Sequence, residues 1–368
     1  MKSGGSACRN RAKPDGRADR PVAALISKPE KIIFIRRDNI GDLVCTTPAI
    51  RAVRETFPQA RLSILVNTYN AEVIANHPDI DRVYIFQKPK HARNRRRFAV
   101  LWENFRLFQA IRREKYDVAL GCGMYNRTLS HYTFFTGARK RIGYCRGNQG
   151  RGFYNVPLTE APAPEHEVVK VFRLLEPLGI SGLPGDLFLV PEAAELARFA
   201  AFTAARPRDK DKPLLAVAIS ARIKNNRWPL AKFATLIEGI LARRQVRVLL
   251  LWAPGSEKSP TYPGDDEAAA VLVHRFRDRV MAYPTPTLSA LVAALFGVDM
   301  AVTLDTGALH IAAAAKKPLV ALMNPDKALV WYPWHTAGQV VVSPGRVADI
   351  PVEEVLDAVN RMIAAFGA

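Results

Sequence analysis

Leu304-Asp305-Thr306-Gly307-Ala308-Leu309-His310-Ile311-Ala312-Ala313 closes an apolar run that begins at Met300. The run stops at an acid, a hydroxyl and a glycine, and small apolar residues then resume at helical spacing. That pattern predicts a strand, a tight turn and a helix. In a parallel α/β sheet such a turn lies at the carboxyl end of a strand, where ligands bind. It also presents the unpaired N–H groups of a helix start, which with the helix dipole favour a phosphate. Thr306 adds a hydroxyl, Gly307 lets the backbone come close to a ligand, and His310, one helical turn in, could reach the same anion. An ordinary N-cap ahead of a core helix with one satisfied histidine fits these ten letters equally well.

The same alternation extends outward from this turn. Before it, Leu214 to Ile219, Val246 to Trp252 and a short stretch near Val280 read as strands, with helices over Pro229 to Ala242, Asp265 to Phe276 and Leu288 to Phe296. After it come a strand, Leu319 to Met323, and a final helix, Val352 to Phe366. The first half repeats the theme. Ile32 to Ile35, Leu62 to Val66, Arg82 to Phe86, Tyr116 to Leu120 and Lys140 to Tyr144 have strand character. Helical periods lie between them, among them Leu43 to Phe57, in which Pro48 marks a kink or an irregular first turn. Cys145 to Pro164 is Gly-, Arg-, Asn- and Pro-rich and reads as a long loop, and His166 to Leu178 as a helix. The expectation is α/β, with parallel sheets covered by helices on both faces. It divides into a disordered basic tail (1–30), a first domain (31–182), a connection (183–212), a second domain (213–350) and a C-terminal helix (351–368) packing back on the first domain.

The turn after the first predicted strand, Arg36 to Asp42, has neither a dinucleotide-binding glycine pattern nor a P-loop. It does place Asp42 at a helix start. Capping accounts for an isolated Asp there. A base that takes a proton from a sugar hydroxyl needs the same kind of place, on a rigid element facing a cleft.

The totals limit the partners. The 368 residues are 49% hydrophobic and 24% charged, enough for two domains with a core each. No apolar run is long enough to span a bilayer, and the polar, basic N-terminus has no signal-peptide segment, so a cytoplasmic location is expected. Cys8, Cys45, Cys122 and Cys145 show neither metal-ligand spacing nor a secreted disulfide framework. With 53 Lys+Arg against 34 Asp+Glu, the net charge of +19 calls for an anionic partner: nucleic acid, an acidic membrane surface or an anionic glycolipid. The segment 88–115 is dense in Lys and Arg, opposed only by Glu103 and Glu114, with Phe98, Leu101, Trp102, Phe105 and Phe108 interleaved. Such a mixture suits either a solvated basic helix or one resting on an anionic membrane interface. Without a nucleic-acid motif, charge alone argues only for nonspecific binding of nucleic acid. No Asp-x-Asp pair is read at the ligand-facing end of a strand and no His/Asp/Glu cluster offers a cation site, so no metal is expected.

Three stretches together resemble the glycosyltransferase family that contains the lipopolysaccharide heptosyltransferases, glycosyltransferase family 9. They are Ile35 to Leu43 running into Thr47-Pro48-Ala49-Ile50, then Trp228-Pro229 preceded by basic residues, then Asp305 to Ala313. The resemblance spans roughly residues 31 to 345 and accounts for the awkward Pro48. It implies a GT-B fold, two Rossmann-like domains facing each other across a cleft, with the acceptor on the first and a nucleotide sugar on the second. It implies an inverting transfer of heptose from ADP-heptose to the inner core of lipopolysaccharide or a related anionic glycolipid, without metal or other cofactor. The expected setting is the inner face of the cytoplasmic membrane, touched peripherally. By the same resemblance Asp42 is the general base, with Asn39 and Gly41 beside it on the acceptor side. Thr306, Gly307 and His310 would serve the diphosphate, Asp305 a sugar hydroxyl and Glu257 the ribose, with Ser220 a further phosphate ligand. Family members commonly carry a Lys two residues before the Trp of Trp228-Pro229, where this chain has Asn226. Lys224 and Arg227 are the nearby cations that could substitute. An amide in place of an ammonium forfeits a charge-assisted contact. The departure keeps open a different nucleotide sugar, or a non-catalytic saccharide- or membrane-binding relative of the same fold.

Overall fold

A computed structural model describes residues 26, 28–87, 97–206, 209, 211–243, 245–259 and 263–366. Most of the expected basic tail and the stretch 88–96 of the basic segment lie outside them. In the first half, β1 (Lys31–Ile35), β2 (Arg61–Asn67), β3 (Arg82–Phe86), β4 (Val118–Gly121), β5 (Lys140–Cys145) and β6 (Val156–Thr159) form a parallel sheet in the order β3-β2-β1-β4-β5-β6. In the second, β7 (Leu214–Ala218), β8 (Arg247–Trp252), β9 (Val280–Pro284), β10 (Met300–Leu304), β11 (Leu319–Met323) and β12 (Gly338–Val342) form another, in the order β12-β11-β10-β7-β8-β9. Counted from its own first strand, each sheet runs 3-2-1-4-5-6, the doubly wound Rossmann order. The central strands are buried on both faces, which is why Ile-Ile-Phe-Ile of β1 and Leu-Val-Ala-Leu-Met of β11 run apolar without alternation.

Helices cover both faces. In the first half α1 (Ile40–Val44) and α2 (Thr47–Thr56) follow β1, α3 (Arg97–Arg113) joins β3 to β4, α4 (Arg127–Phe135) joins β4 to β5, and α5 (Glu167–Arg173) follows β6. In the second α6 (Ala193–Ala204) precedes β7, and α7 (Leu230–Arg243), α8 (Asp266–Phe276), α9 (Leu288–Gly297), α10 (Gly307–Ala314) and α11 (Pro325–Ala328) follow β7 to β11 in turn. The last helix is α12 (Val352–Phe366).

The structure corrects the sequence reading at several places. The helix expected over 43–57 is two, α1 and α2, because Pro48 opens the first turn of α2, where its missing N–H has no partner to lose. The stretch 145–164 is not all loop: it holds β6, an edge strand that tolerates Pro157. An unforeseen edge strand, β12, begins at Gly338, whose φ of 148° and close approach to the Leu319 carbonyl leave no room for a side chain. The final helix does not pack on the first domain. Val355, Ala358, Val359, Met362 and Ile363 of α12 pack into the core of the second, against α7, β11 and β12. The connection 183–212 carries its Ala-rich helix as α6, which sets Phe199 against Tyr283 and Gly297 of the second half. Before β1, Ile26 is buried in the core and its N–H donates to the Pro177 carbonyl, so order begins ahead of Lys31.

The carboxyl ends of both sheets open on one shared cavity, which is the GT-B arrangement. The seam beside it is tight. A Cβ on Gly41 of α1 would strike the ring of His310 in α10, and one on Gly307 of α10 would stand 2.8 Å from Ile40 Cγ2 in α1.

Candidate active site

The cavity holds about 700 Å³, within the usual range for a small-molecule site. On the first domain's side it is walled by Asn39, Ile40, Gly41 and Asp42 after β1 and by Thr68, Tyr69 and Glu72 after β2. Asp42 sits in the first turn of α1, where its Oδ2 accepts the Asn39 main-chain N–H at 3.1 Å. Its Oδ1 accepts a hydrogen bond from the Arg36 guanidinium at 3.2 Å. The capping role is therefore real, yet each carboxylate oxygen keeps a lone pair free, and the side chain is 15% exposed toward the cavity.

On the opposite side the turns after β7, β8, β9, β10 and β11 supply Ser220 to Ile223, Trp252 to Pro254, Thr285 to Thr287, Asp305 to Gly307 and Lys327. Thr306 is the N-cap of α10 and Gly307 its first residue, so the open N–H groups of that helix face the cavity. Asp305 is held by Asn226, whose amide donates to the Asp305 carbonyl at 2.8 Å and to its carboxylate at 3.0 Å. Asn226 in turn accepts from Asn324 at 3.0 Å, and Asn324 accepts the Val347 N–H at 3.0 Å. Burial pushes the Asp305 carboxyl above its ordinary range, against the pull of Lys327 and Asn226. Asn226 thus acts as a clamp on Asp305, filled on both polar atoms.

The other residues named from sequence separate into two groups. Asp42, Asn39, Gly41, Ser220, Asp305, Thr306, Gly307 and His310 share the cavity wall. Ser220 accepts the Ala253 N–H at 2.8 Å, tying the turn after β7 to that after β8. His310 is 3% exposed, with Nδ1 3.5 Å from Cys45 Sγ. Burial, with His166 adding to it, holds its pKa down at about 3, so it meets a ligand as a neutral ring. Lys224, Arg227 and Glu257 lie off the wall. Arg227 spends its guanidinium on Glu257 at 2.6 Å and Asp265 at 2.8 Å, and the Glu257 side chain is 57% exposed. Sequence reasoning passed over Arg222 and Lys327, the cations among the described wall residues, and Asp265 beside Ser220. Arg222 donates to Asn39 Oδ1 at 2.8 Å across the cleft and lies over Tyr69. The available signal was topological: Arg222 follows Ser220 by two residues, and Lys327 follows the strand next to β10.

Comparison with known proteins places this geometry in a family. The profile of Glycosyltransferase family 9 (heptosyltransferase) matches residues 104–353. Lipopolysaccharide heptosyltransferase 3 of Escherichia coli is 23% identical over 358 residues, covering 88% of this chain and 96% of that protein. Lipopolysaccharide heptosyltransferase 2 of E. coli K12 is 24% identical over 303 residues, covering 80% and 83%. Among solved structures, a family 9 glycosyl transferase from Veillonella parvula superposes with a TM-score of 0.76 at 17% identity, over 91% of this chain and 97% of that one. The E. coli ADP-heptose lps heptosyltransferase II superposes at 0.71 and 20% identity, over 92% and 100%. The structural likenesses carry the fold, and the profile, covering more than half of the chain, carries the family. With Asp42 facing the Asp305-to-Gly307 turn across one cavity, the chain belongs to glycosyltransferase family 9, the heptosyltransferase family, and is a glycosyltransferase.

Proposed function

We propose that the enzyme transfers heptose from ADP-heptose to the inner core of lipopolysaccharide, or to a related anionic glycolipid, by inverting displacement. One observation carries the reading: Asp42 and the helix start at Thr306-Gly307 face the same cavity from opposite domains. The donor lies against the second domain, its diphosphate at the α10 N-terminus between Arg222 and Lys327. Asp42 takes the proton of an acceptor hydroxyl as that oxygen attacks the anomeric carbon from the side opposite the leaving group. The bond from that carbon to the diphosphate oxygen breaks, and charge grows on the leaving diphosphate. The helix start and the two cations meet that charge as it develops, so the reading calls on no cofactor. Asp305, fixed by Asn226, accepts from a sugar hydroxyl and orients the donor. The names of the similar proteins, lipopolysaccharide heptosyltransferases among them, support the choice of donor and acceptor. The test is a panel of nucleotide sugars against heptose-deficient lipopolysaccharide. Turnover of ADP-heptose well above UDP-, GDP- and ADP-hexoses is expected; preference for another sugar nucleotide overturns the donor assignment and leaves the family intact.

The acceptor's lipid brings the enzyme to the cytoplasmic face of the inner membrane. On α3, Phe98, Leu101, Trp102 and Phe105 are exposed, and on the adjoining α4, Phe134 and Phe135. Phe108 and Phe135, 5.9 Å apart, link the two helices. Arg106, Arg112 and Arg113 of α3, and Arg139 and Lys140 shortly after α4, are exposed as well. Exposed aromatic side chains together with cations complement an anionic bilayer surface. Flotation with phosphatidylglycerol-containing vesicles, lost in Trp102→Ser/Phe105→Ser and absent with phosphatidylcholine alone, is the expected result; equal behaviour of the variant removes this surface from the reading.

A further inference from the structure

We infer that Arg36 is a positioning residue that aims Asp42 and sets the electrostatic field on it, and that Glu167 divides that field. The inference rests on the reading of Asp42 as the base. Arg36 ends β1 at its ligand-facing end and is 1% exposed. Its three side-chain nitrogens are all committed. Nε donates to the Asp42 carbonyl at 2.9 Å, one terminal nitrogen to the Cys122 carbonyl at 2.6 Å, and the other to Asp42 Oδ1 at 3.2 Å and Glu167 Oε1 at 2.6 Å. Burial works against charge on this guanidinium, but Asp42, Glu167 and Asp38 outweigh it and raise its pKa above the ordinary value.

The unequal distances have a chemical consequence. A guanidinium given wholly to one carboxylate suppresses that carboxylate's basicity, because the proton must displace a full ion pair. Here the closer, drier partner is Glu167, 4% exposed at its side chain, and Asp42 is the more distant one. Glu167 thus divides the cation's field, so that Asp42 is oriented by a guanidinium that is not wholly its own. Lys170 reaches the far oxygen of Glu167 at 3.3 Å and balances the second negative charge. The pair also sits where the domains meet, since the Glu167 N–H donates to the Val330 carbonyl at 3.0 Å and the His166 ring lies 2.9 Å from the Tyr332 carbonyl. The charged and titratable groups packed around Asp42 are Arg36 and Asp38 on its own turn, Cys45 after α1, Cys122 after β4, Glu167 and Lys170 on α5, and His310 on α10. Of these, Arg36 and Glu167 bear on it oppositely.

Opposite signs give the test. The Asp42 carboxyl is titrated by 13C NMR in protein labelled at aspartate carboxyls, its signal assigned by its loss in Asp42→Asn, so no substrate is needed. Arg36→Gln is expected to move the Asp42 titration to higher pH by about one unit or more, and Glu167→Gln to lower pH. The acid limb of kcat/KM with ADP-heptose should move with each. A buried ion pair can often be replaced as a unit without loss of fold. The double variant Arg36→Met/Glu167→Met therefore covers the case in which Arg36→Gln does not fold, and its titration should also move up. Unchanged titrations in folded variants, or shifts of the same sign in Arg36→Gln and Glu167→Gln, overturn the inference and reduce the pair to a structural tie. Shifts of opposite sign beside an Asp42→Asn enzyme that still turns over would instead sink the base assignment and keep the electrostatic coupling.

Discussion

Replacing Gly307 by alanine tests the packing of α1 and α10 against each other. The added Cβ would lie 2.8 Å from Ile40 Cγ2 and 2.9 Å from Ile40 Cβ, against about 3.4 Å for ordinary contact. A rotamer change moves Cγ2 but not Cβ, whose place is set by the backbone. Relief therefore requires α1 and α10 to part by about 0.5 Å or more, and Asp42 is two residues beyond Ile40 on α1. Overpacking of this kind costs about 1–3 kcal/mol, read as a lower thermal midpoint. Catalytic groups tolerate displacement of only about 0.5 Å, and 1 Å can cost a hundredfold, so kcat should fall by about tenfold. Alanine keeps the main-chain N–H at the start of α10, so donor affinity by calorimetry should change less than kcat. Gly185→Ala, where a Cβ meets nothing within 4 Å, is the control and should behave as wild type. Steady-state release of the nucleotide and a thermal melt suffice. If Gly307→Ala matches wild type in both, the two helices are not in contact in solution and the shared-site account fails.

Acidification should destabilise the fold in a defined window. Burial holds His310 at about 3 and His166 and His77 at about 4, all below the ordinary 6.5. The unfolded chain takes up protons below about 6.5 that the folded chain refuses, so stability is full above that pH and falls as pH drops toward 4. Each histidine contributes up to about 1.4 kcal/mol per pH unit, and denaturant midpoints at pH 7.5, 6 and 5 would show the fall; a flat profile contradicts neutral burial. Lys327→Ala and Arg222→Ala should each raise the donor KM by about tenfold or more, as expected for loss of a charge-assisted contact, with little change in melting temperature. Asn226→Lys should lower stability rather than raise activity, because Asn226 is 6% exposed and both its polar atoms are bonded. A rise in kcat with an unchanged melt would refute that.

The central strands were legible because a strand buried on both faces must be apolar throughout, as in β1 and β10. Of the four edge strands, β3 and β9 were read, while β6 and β12 were not, because their Pro157 and Gly338 read as loop. Asp305 stood out because it follows an apolar run at a strand end, and Asp42 because it stands at a helix start in the turn after the first strand. Arg222, Lys327 and Arg36 did not, because a cation in a loop looks alike whether it faces water, a cavity or a buried carboxylate. Arg227 and Glu257 were named from charge and position, and the fold pairs them with each other. The direction of α12 depended on which sheet face was left uncovered, which strand order decides and local periodicity does not.

The most direct measurement follows a single turnover of ADP-heptose on heptose-deficient lipopolysaccharide, with the anomeric configuration of the product read by NMR, for wild type and Asp42→Asn. An inverted glycosidic bond in wild type, and a rate lower by about two to four powers of ten in Asp42→Asn with donor binding retained, is the predicted result. Retention of configuration, or an Asp42→Asn enzyme as fast as wild type, would contradict the assignment of Asp42 as the base opposite the Asp305-to-Gly307 turn.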